Sequence, residues 1–315
     1  MKTYVIKRLL HVAPVLFLIA GIVFFLLRLI PGDPAAIYVG ANAEPGVVES
    51  IRREMGLDQP VYVQFFIWLS RVMRGDFGTS IFYHLDVIHL ILQRLPVTLI
   101  LGFLSMVFAL LLAVPSGIMA AVNQNSYKDY LFTLLAVLGI SVPGFWLALM
   151  MVIFFSVKLG WFPATGYVSP FENFFGGMHT LVLPCISQAL LASAIIARMT
   201  RSTMLEVLRQ EYMTTARGKG LPKVWVVGKH ALKNAFAPTL TVIGFQLGNI
   251  LGGAVITETI FSLPGIGQLI YTAIGQRDYP IVQGCILLTA FGFVIINLIV
   301  DLLYSYFDPR IVYEG

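Results

Sequence analysis

Apolar residues run along this chain in six blocks with few charges, at roughly 9–27, 95–122, 130–157, 180–197, 235–257 and 281–300. Blocks of about 20 apolar residues match the hydrocarbon thickness of a bilayer, and a spanning backbone must satisfy its own N–H and C=O groups. Each block therefore predicts a transmembrane helix, and the fold class is an all-α polytopic membrane protein with six spans. The first block follows Lys2, Lys7 and Arg8, but Arg28 and Ile30-Pro31-Gly32-Asp33-Pro34 come after it instead of a small-residue cleavage site. It reads as an uncleaved signal anchor. Between the first two spans, Pro45 and Gly46 precede a helix-like run to Met55, Gly56-Leu57-Asp58-Gln59-Pro60 breaks it, and Val61 to Met73 resumes it. This pattern predicts two short amphipathic helices in a small cap. The chain thus divides into 1–30 (N-terminus and first span), 31–94 (helical cap) and 95–315 (five spans), with a polar segment at 200–235.

Composition supports the same class. Of 315 residues, 58% are hydrophobic and only 12% charged, about half the charged fraction of an ordinary soluble domain. The net charge of +5 is not a nucleic-acid patch, because the basic residues sit where a membrane topology needs them. Arg198, Arg201, Arg209, Arg217, Lys219, Lys223, Lys229 and Lys233 crowd the segment between spans four and five, and the N-terminus is basic too. The loops 158–179 and 258–280 hold one basic residue each, Lys158 and Arg277. Basic short loops stay cytoplasmic, so both termini and 200–235 are expected in the cytoplasm and the cap outside. Cys185 and Cys285 lie inside apolar blocks and read as buried small hydrophobes.

The order of residues in the basic segment carries more than its charge. Glu211-Tyr212-Met213-Thr214-Thr215-Ala216-Arg217-Gly218-Lys219-Gly220-Leu221, followed by Lys229-His230-Ala231-Leu232-Lys233-Asn234-Ala235, resembles the coupling-helix segment of ABC importer permeases. Ala216, Gly220 and Leu232 match the family pattern, whereas Thr214 and Thr215 replace Glu-Ala, His230 replaces Ile and Lys233 replaces Pro. These departures resemble the dipeptide, oligopeptide and nickel branch. So do Pro31-Gly32-Asp33-Pro34, Gly56-Leu57-Asp58-Gln59-Pro60, Glu258-Thr259-Ile260-Phe261-Ser262-Leu263-Pro264-Gly265-Ile266-Gly267, Arg277-Asp278-Tyr279-Pro280, Asn297-Leu298-Ile299-Val300-Asp301-Leu302-Leu303 and Asp308-Pro309-Arg310.

The resemblance implies a type I permease fold in a bacterial inner membrane. It also implies a second related permease as heterodimer partner, two ATPase subunits carrying ATP-Mg, and an extracytoplasmic substrate-binding protein. Peptide, glutathione and nickel or other metal chelates remain open as cargo. Thr214, Thr215, Ala216, Arg217, Gly220 and Leu221 become the expected ATPase-coupling residues. On a continuous helix, Ala216 and Gly220, four apart, would form a bare patch that a partner could approach. The plainer alternative is that Gly220-Leu221-Pro222 only ends a helix.

Several chemistries lack their residues. Gly218-Lys219 and Gly228-Lys229 are followed by Gly220 and His230, so neither forms the phosphate loop that ends in Lys-Ser/Thr. No cofactor and no metal site is expected in this chain. His84 and His89 are five apart, poor spacing for two ligands on one helix. An intramembrane enzyme would need paired acids, a nucleophile with its base, or a metal at membrane depth. The five histidines lie instead at span ends or in loops. An ion-coupled carrier would place carboxylates within its spans, and only Asp301 qualifies, near the end of span six.

Span five carries Gln246, Asn249, Gly253 and Thr257 at helical spacing, a stripe that either packs helices or lines a path. Ser141-Val142-Pro143-Gly144 predicts a kink in span three, and Ser141 joins the candidate path. Asn297 and Asp301 share a face and form an expected structural anchor, with Arg198, Arg201 or a backbone amide as partner for Asp301. Membrane lipid is the remaining expected partner.

Overall fold

The computed structural model describes the backbone of residues 2–29, 34–39, 45–54 and 56–307. It describes the side chains of 12–29 and 56–300, with a subset of those between. The helices are α1 (Lys2–Leu29), α2 (Pro34–Val39), α3 (Pro45–Glu54), α4 (Val61–Met73), α5 (Val87–Val122), α6 (Tyr127–Ser141) and α7 (Gly144–Met151). They continue with α8 (Phe174–Leu208), α9 (Glu211–Gly218), α10 (Lys223–Trp225), α11 (Leu232–Ile260), α12 (Ile266–Gln276) and α13 (Tyr279–Phe307). π-helical turns at Val152–Lys158 and Val226–Ala231 continue α7 and α10. Among the described residues, five stretches are long and apolar enough to cross a membrane, and six if the bent pair α6 and α7 counts as one span. Helices outrun their apolar blocks: α5 has 36 residues, about 54 Å at 1.5 Å per residue, against a hydrocarbon core of about 30 Å. A bilayer limits the length of apolar sequence but not of helix, because the ends continue in water.

The sequence expectation of a kinked third span is corrected. Val142 and Pro143 leave the helical region (ψ 125° and 130°), and the two halves meet at 99°. The residue before a proline is pushed out of the α region, and Gly144 starts a new helix. The two halves are separate helices, as in a broken span or a re-entrant loop, and not one bent helix.

The chain forms two compact units. One comprises Met1–Thr98 with Pro264–Val294. Its core joins Val87, Leu90 and Ile91 of α5 to Ile266, Leu269 and Ala273 of α12 and Ile281, Val282 and Cys285 of α13. A Cβ on Gly284 would come within 2.8 Å of Val87. Asp278 is fully buried at the start of α13. It accepts hydrogen bonds from the Ser80 hydroxyl (2.6 Å), the Phe82 N–H (3.0 Å) and the Ile281 N–H (3.4 Å), so it caps the helix and holds the loop before α5 at once. A second core in this unit packs Ala20 and Phe24 of α1 against Phe65 of α4 and Leu287 of α13.

The other unit comprises Leu99–Leu263 with Ile295–Gly315. Its core is built of small and branched residues: Met106, Ala109 and Ala113 of α5, Ala189, Ala192, Ile196 and Ala197 of α8, Ile243 and Ile250 of α11. Small residues let backbones approach where lipid offers no hydrophobic drive. Accordingly, a Cβ on Gly117 would meet the Ala197 carbonyl at 2.7 Å, and one on Gly244 would meet Val300 at 2.6 Å. Arg201 of α8 donates to both oxygens of the buried Asp129 on α6, at 2.6 and 2.8 Å. The Asn125 N–H adds a third bond to that carboxylate (3.0 Å).

Candidate coupling surface and polar lining

The basic segment is fixed to the second unit by its inner face. Met213 of α9 is buried in a cluster with Ala121 of α5, Met204 of α8, Val226 and Ala231 of the π-helical turn, and Ala235 of α11, and Ala216, three residues on, is buried as well. The Asn234 amide donates to the Tyr212 hydroxyl and to the His230 carbonyl, both at 2.9 Å. Those bonds tie α9 to the start of α11.

The expected bare patch of Ala216 and Gly220 on one helix face is not formed. Ala216 is only 9% exposed and points into the chain's own core. α9 ends at Gly218, and Gly220 follows in the left-handed region (φ +71°), its N–H bonded to the Arg217 carbonyl at 3.0 Å. Gly220 therefore closes the helix, the conformation that glycine adopts without steric cost. A Cβ there would meet nothing within 4 Å, so the position is open to a partner.

The outward face is made of different residues. Thr214, Thr215, Arg217, Lys219 and Leu221 are exposed. Sequence reasoning did not single out Val224 (81% exposed) and Trp225 (57%) of α10, with the Lys229 ammonium 5.4 Å from the centre of the Trp225 ring. A tryptophan inside a basic stretch, away from every apolar block, was the available clue. Exposed apolar residues Leu221, Val224 and Trp225 thus stand in a stretch that also exposes Arg217, Lys219, Lys223 and Lys229, an apolar knob within a basic segment.

The polar stripe of α11 divides in two. Gln246 and Thr257 are buried, while Asn249 is exposed and its amide lies 3.5 Å from the Gln246 carbonyl oxygen. Gly253 faces Gln188 of α8, whose amide nitrogen would stand 3.9 Å from a Cβ. Gln188 accepts from Ser105 of α5 (3.0 Å) and donates to the Ile250 carbonyl (2.9 Å), so one side chain joins three spans. Nothing in the sequence marked Gln188, because its two partners lie 83 and 62 residues away. Ser141, at the break, is exposed, and its hydroxyl bonds back to the Val137 carbonyl (2.8 Å). Asn297 is half-buried on α13. The side chain of Asp301 lies outside the described residues. Of its two expected cationic partners, Arg201 is instead held by Asp129.

Two family models cover the chain. "Binding-protein-dependent transport system inner membrane component" matches residues 113–313, and the N-terminal part of the same kind of component matches residues 1–102. A dipeptide transport system permease protein, DppB, of Alkalihalophilus pseudofirmus is 44% identical over 99% of this chain and 100% of its own length. The glutathione transport system permease protein GsiC of Escherichia coli K12 is 41% identical over the full length of both. Among solved structures, the MetNI methionine ABC transporter in an inward-facing conformation is similar with a TM-score of 0.59 and 19% identity. The match covers 70% of this chain and 97% of that one, and it speaks for the fold alone.

Proposed function

Because this chain belongs to the inner-membrane components of binding-protein-dependent transport systems, we propose that it is one of two permeases forming the path of an ATP-driven importer of small peptides. The chain is a multi-pass membrane protein whose relatives are transport permeases. ATP hydrolysis is assigned to two separate subunits, and substrate delivery to an extracytoplasmic binding protein. The termini and the 200–235 segment are placed in the cytoplasm on the distribution of basic residues.

The observation that carries this reading is the construction of the basic segment. It is rooted in the unit's core through Met213, and it exposes the apolar Leu221, Val224 and Trp225 among Arg217, Lys219, Lys223 and Lys229. A rooted helix transmits a push, whereas a tethered loop absorbs it. Full-length identity to a dipeptide permease and to a glutathione permease, glutathione being itself a tripeptide, favours short peptides over metal chelates.

The test uses the whole complex, reconstituted with its ATPases, partner permease and binding protein. Trp225→Ala should lower binding-protein-stimulated ATP hydrolysis by about tenfold, the effect of losing one central aromatic anchor. Peptide uptake should fall in parallel while melting temperature is unchanged. Full stimulation in that variant would remove the knob from the coupling role, and uptake unaffected by peptide competitors would remove the substrate class.

A further inference from the structure

Helix α4 belongs by sequence to the cap between the first two spans, yet its contacts put it at membrane depth. The apolar window of α1 is the 18 residues Val12–Leu29, about 27 Å of helix, close to the full thickness of the hydrocarbon core. Phe17 and Phe24 are the sixth and thirteenth residues of that window. The Phe65 ring of α4 lies 5.7 Å from the Phe17 ring, 5.2 Å from Phe24 and 5.7 Å from Phe25, centre to centre. A side chain that touches rings inside the window shares their depth.

The faces of α4 agree. At 100° per residue, Phe65, Trp68, Leu69 and Val72 point one way and form the contact with α1 and α13. Gln64 and Arg71, seven apart, form a polar edge. The Gln64 carbonyl oxygen accepts from Arg28 at 2.6 Å, and the Arg28 guanidinium lies 3.5 Å from the centre of the Phe24 ring, so this edge is held to α1 by a charged side chain. Opposite it runs a stripe of Tyr62, Phe66 and Met73, 64%, 59% and 79% exposed. Phe66 meets Phe65 at 5.4 Å, and Phe65 stacks at 5.7 Å on the exposed Phe25 of α1, so the stripe adjoins the apolar surface of that span. A helix with aromatic residues on one side and a polar edge on the other can turn one face to lipid while its polar edge stays on protein.

We propose that α4 is a membrane-embedded helix whose stripe of Tyr62, Phe66 and Met73 faces acyl chains. The occupant of the stripe is lipid, because the stripe adjoins the surface of a span that lipid must already cover. The side from which α4 enters the membrane rests on the orientation proposed above, whereas its depth does not.

Single cysteines at Tyr62, Phe66 or Met73, one per variant, are spin-labelled in the assembled complex in nanodiscs of phosphatidylethanolamine and phosphatidylglycerol. Asp58→Cys serves as the water-side control. The native Cys185 and Cys285 are fully buried and stay unlabelled in the folded protein. The ratio of oxygen to nickel-chelate collisions should be at least about threefold higher on the stripe than at residue 58, as for side chains among acyl chains. High nickel-chelate access at all three stripe positions would overturn the proposal in favour of an aqueous cap. Low access to both reagents would overturn it in favour of a covering protein. A membrane-impermeant thiol reagent applied to Asp58→Cys in sealed vesicles reports the side separately, so an error of orientation is distinguishable from an error of depth.

Discussion

Two short amphipathic helices, α4 and α9, lie outside the long spans and are rooted in the same way, yet they turn opposite chemistry outward. Phe65, Leu69 and Val72 root α4, and Met213 roots α9. The inner faces therefore say little about role. Beyond its root, α4 shows Tyr62, Phe66 and Met73 beside a thin polar edge, while α9 and the turn after it show Thr214, Thr215, Arg217 and Lys219 around a small apolar knob. A long apolar stripe with one charged edge fits a lipid boundary. A compact knob within a basic segment fits a protein socket with an acidic rim, because charge steers the encounter and the buried anchor supplies the affinity.

The largest effect is expected from removing a root. Met213→Asp would place an unpaired carboxylate among Met204, Val226 and Ala231. An isolated buried charge is among the few causes of destabilisation above about 4 kcal/mol. The purified complex should lose its cooperative melting transition, and the 210–230 segment should become sensitive to added protease. Thr214→Asp, one residue on and exposed, should stay within about 0.5 kcal/mol of the parent. Equal behaviour of the two variants would show that α9 is not rooted.

An intermediate effect separates the two sides of α4. In lipid, truncating an aromatic side chain forfeits packing but little hydrophobic transfer energy, since the tails are as apolar as the side chain. Phe65→Ala should therefore cost about 2 kcal/mol, less than the ~3–5 kcal/mol of an aqueous core. Phe66→Ala, on the lipid side, should cost less than about 0.5 kcal/mol, within the usual range of surface changes. Thermal melting of the two variants in the same nanodiscs measures the difference. A larger loss for Phe66 than for Phe65 would reverse the faces.

How much of this was legible beforehand differs between the same two helices. The long spans announced themselves, because an apolar run of sufficient length has one economical solution in a bilayer. α4 was placed as a helix by Gly56 to Pro60 before it, but its depth depends on rings of α1 some 40 residues earlier, and sequence spacing carries no such information. In α9 the residue types were read as a partner-facing patch, yet alanine suits a close external approach and a tight core equally. Only the packing of Met213 beside it decides which way Ala216 points. Likewise Pro143 marked the interruption of span three, but not that Val142 would also leave the helix and turn the halves through 99°. Asp129 joins Arg201 across 72 residues. Asp301 was the more conspicuous acid because it follows an apolar run, whereas Asp129 lies beside Lys128 in a short polar loop and looks solvated.

The smallest effect sharpens the α9 side of the comparison at Gly220. Its φ of +71° favours glycine, but asparagine tolerates the left-handed region better than other residues with a side chain. The chain itself leaves open space there, with nothing within 4 Å of a Cβ. Gly220→Ala should thus cost about 1 kcal/mol through backbone strain, and Gly220→Asn about half that or less. Any larger loss in coupled function must come from a partner that approaches the glycine. If the segment docks through its knob with Gly220 at the edge, Gly220→Asn should melt close to the parent, yet binding-protein-stimulated ATP hydrolysis should fall by about twofold to threefold, as expected of a rim position set against a central anchor. The measurement pairs a melting curve with stimulated hydrolysis in the same reconstituted complex. Parental stimulation in Gly220→Asn, with loss confined to Gly220→Ala and matched by its loss of stability, would assign the glycine to helix closure alone and leave Leu221, Val224 and Trp225 as the contact.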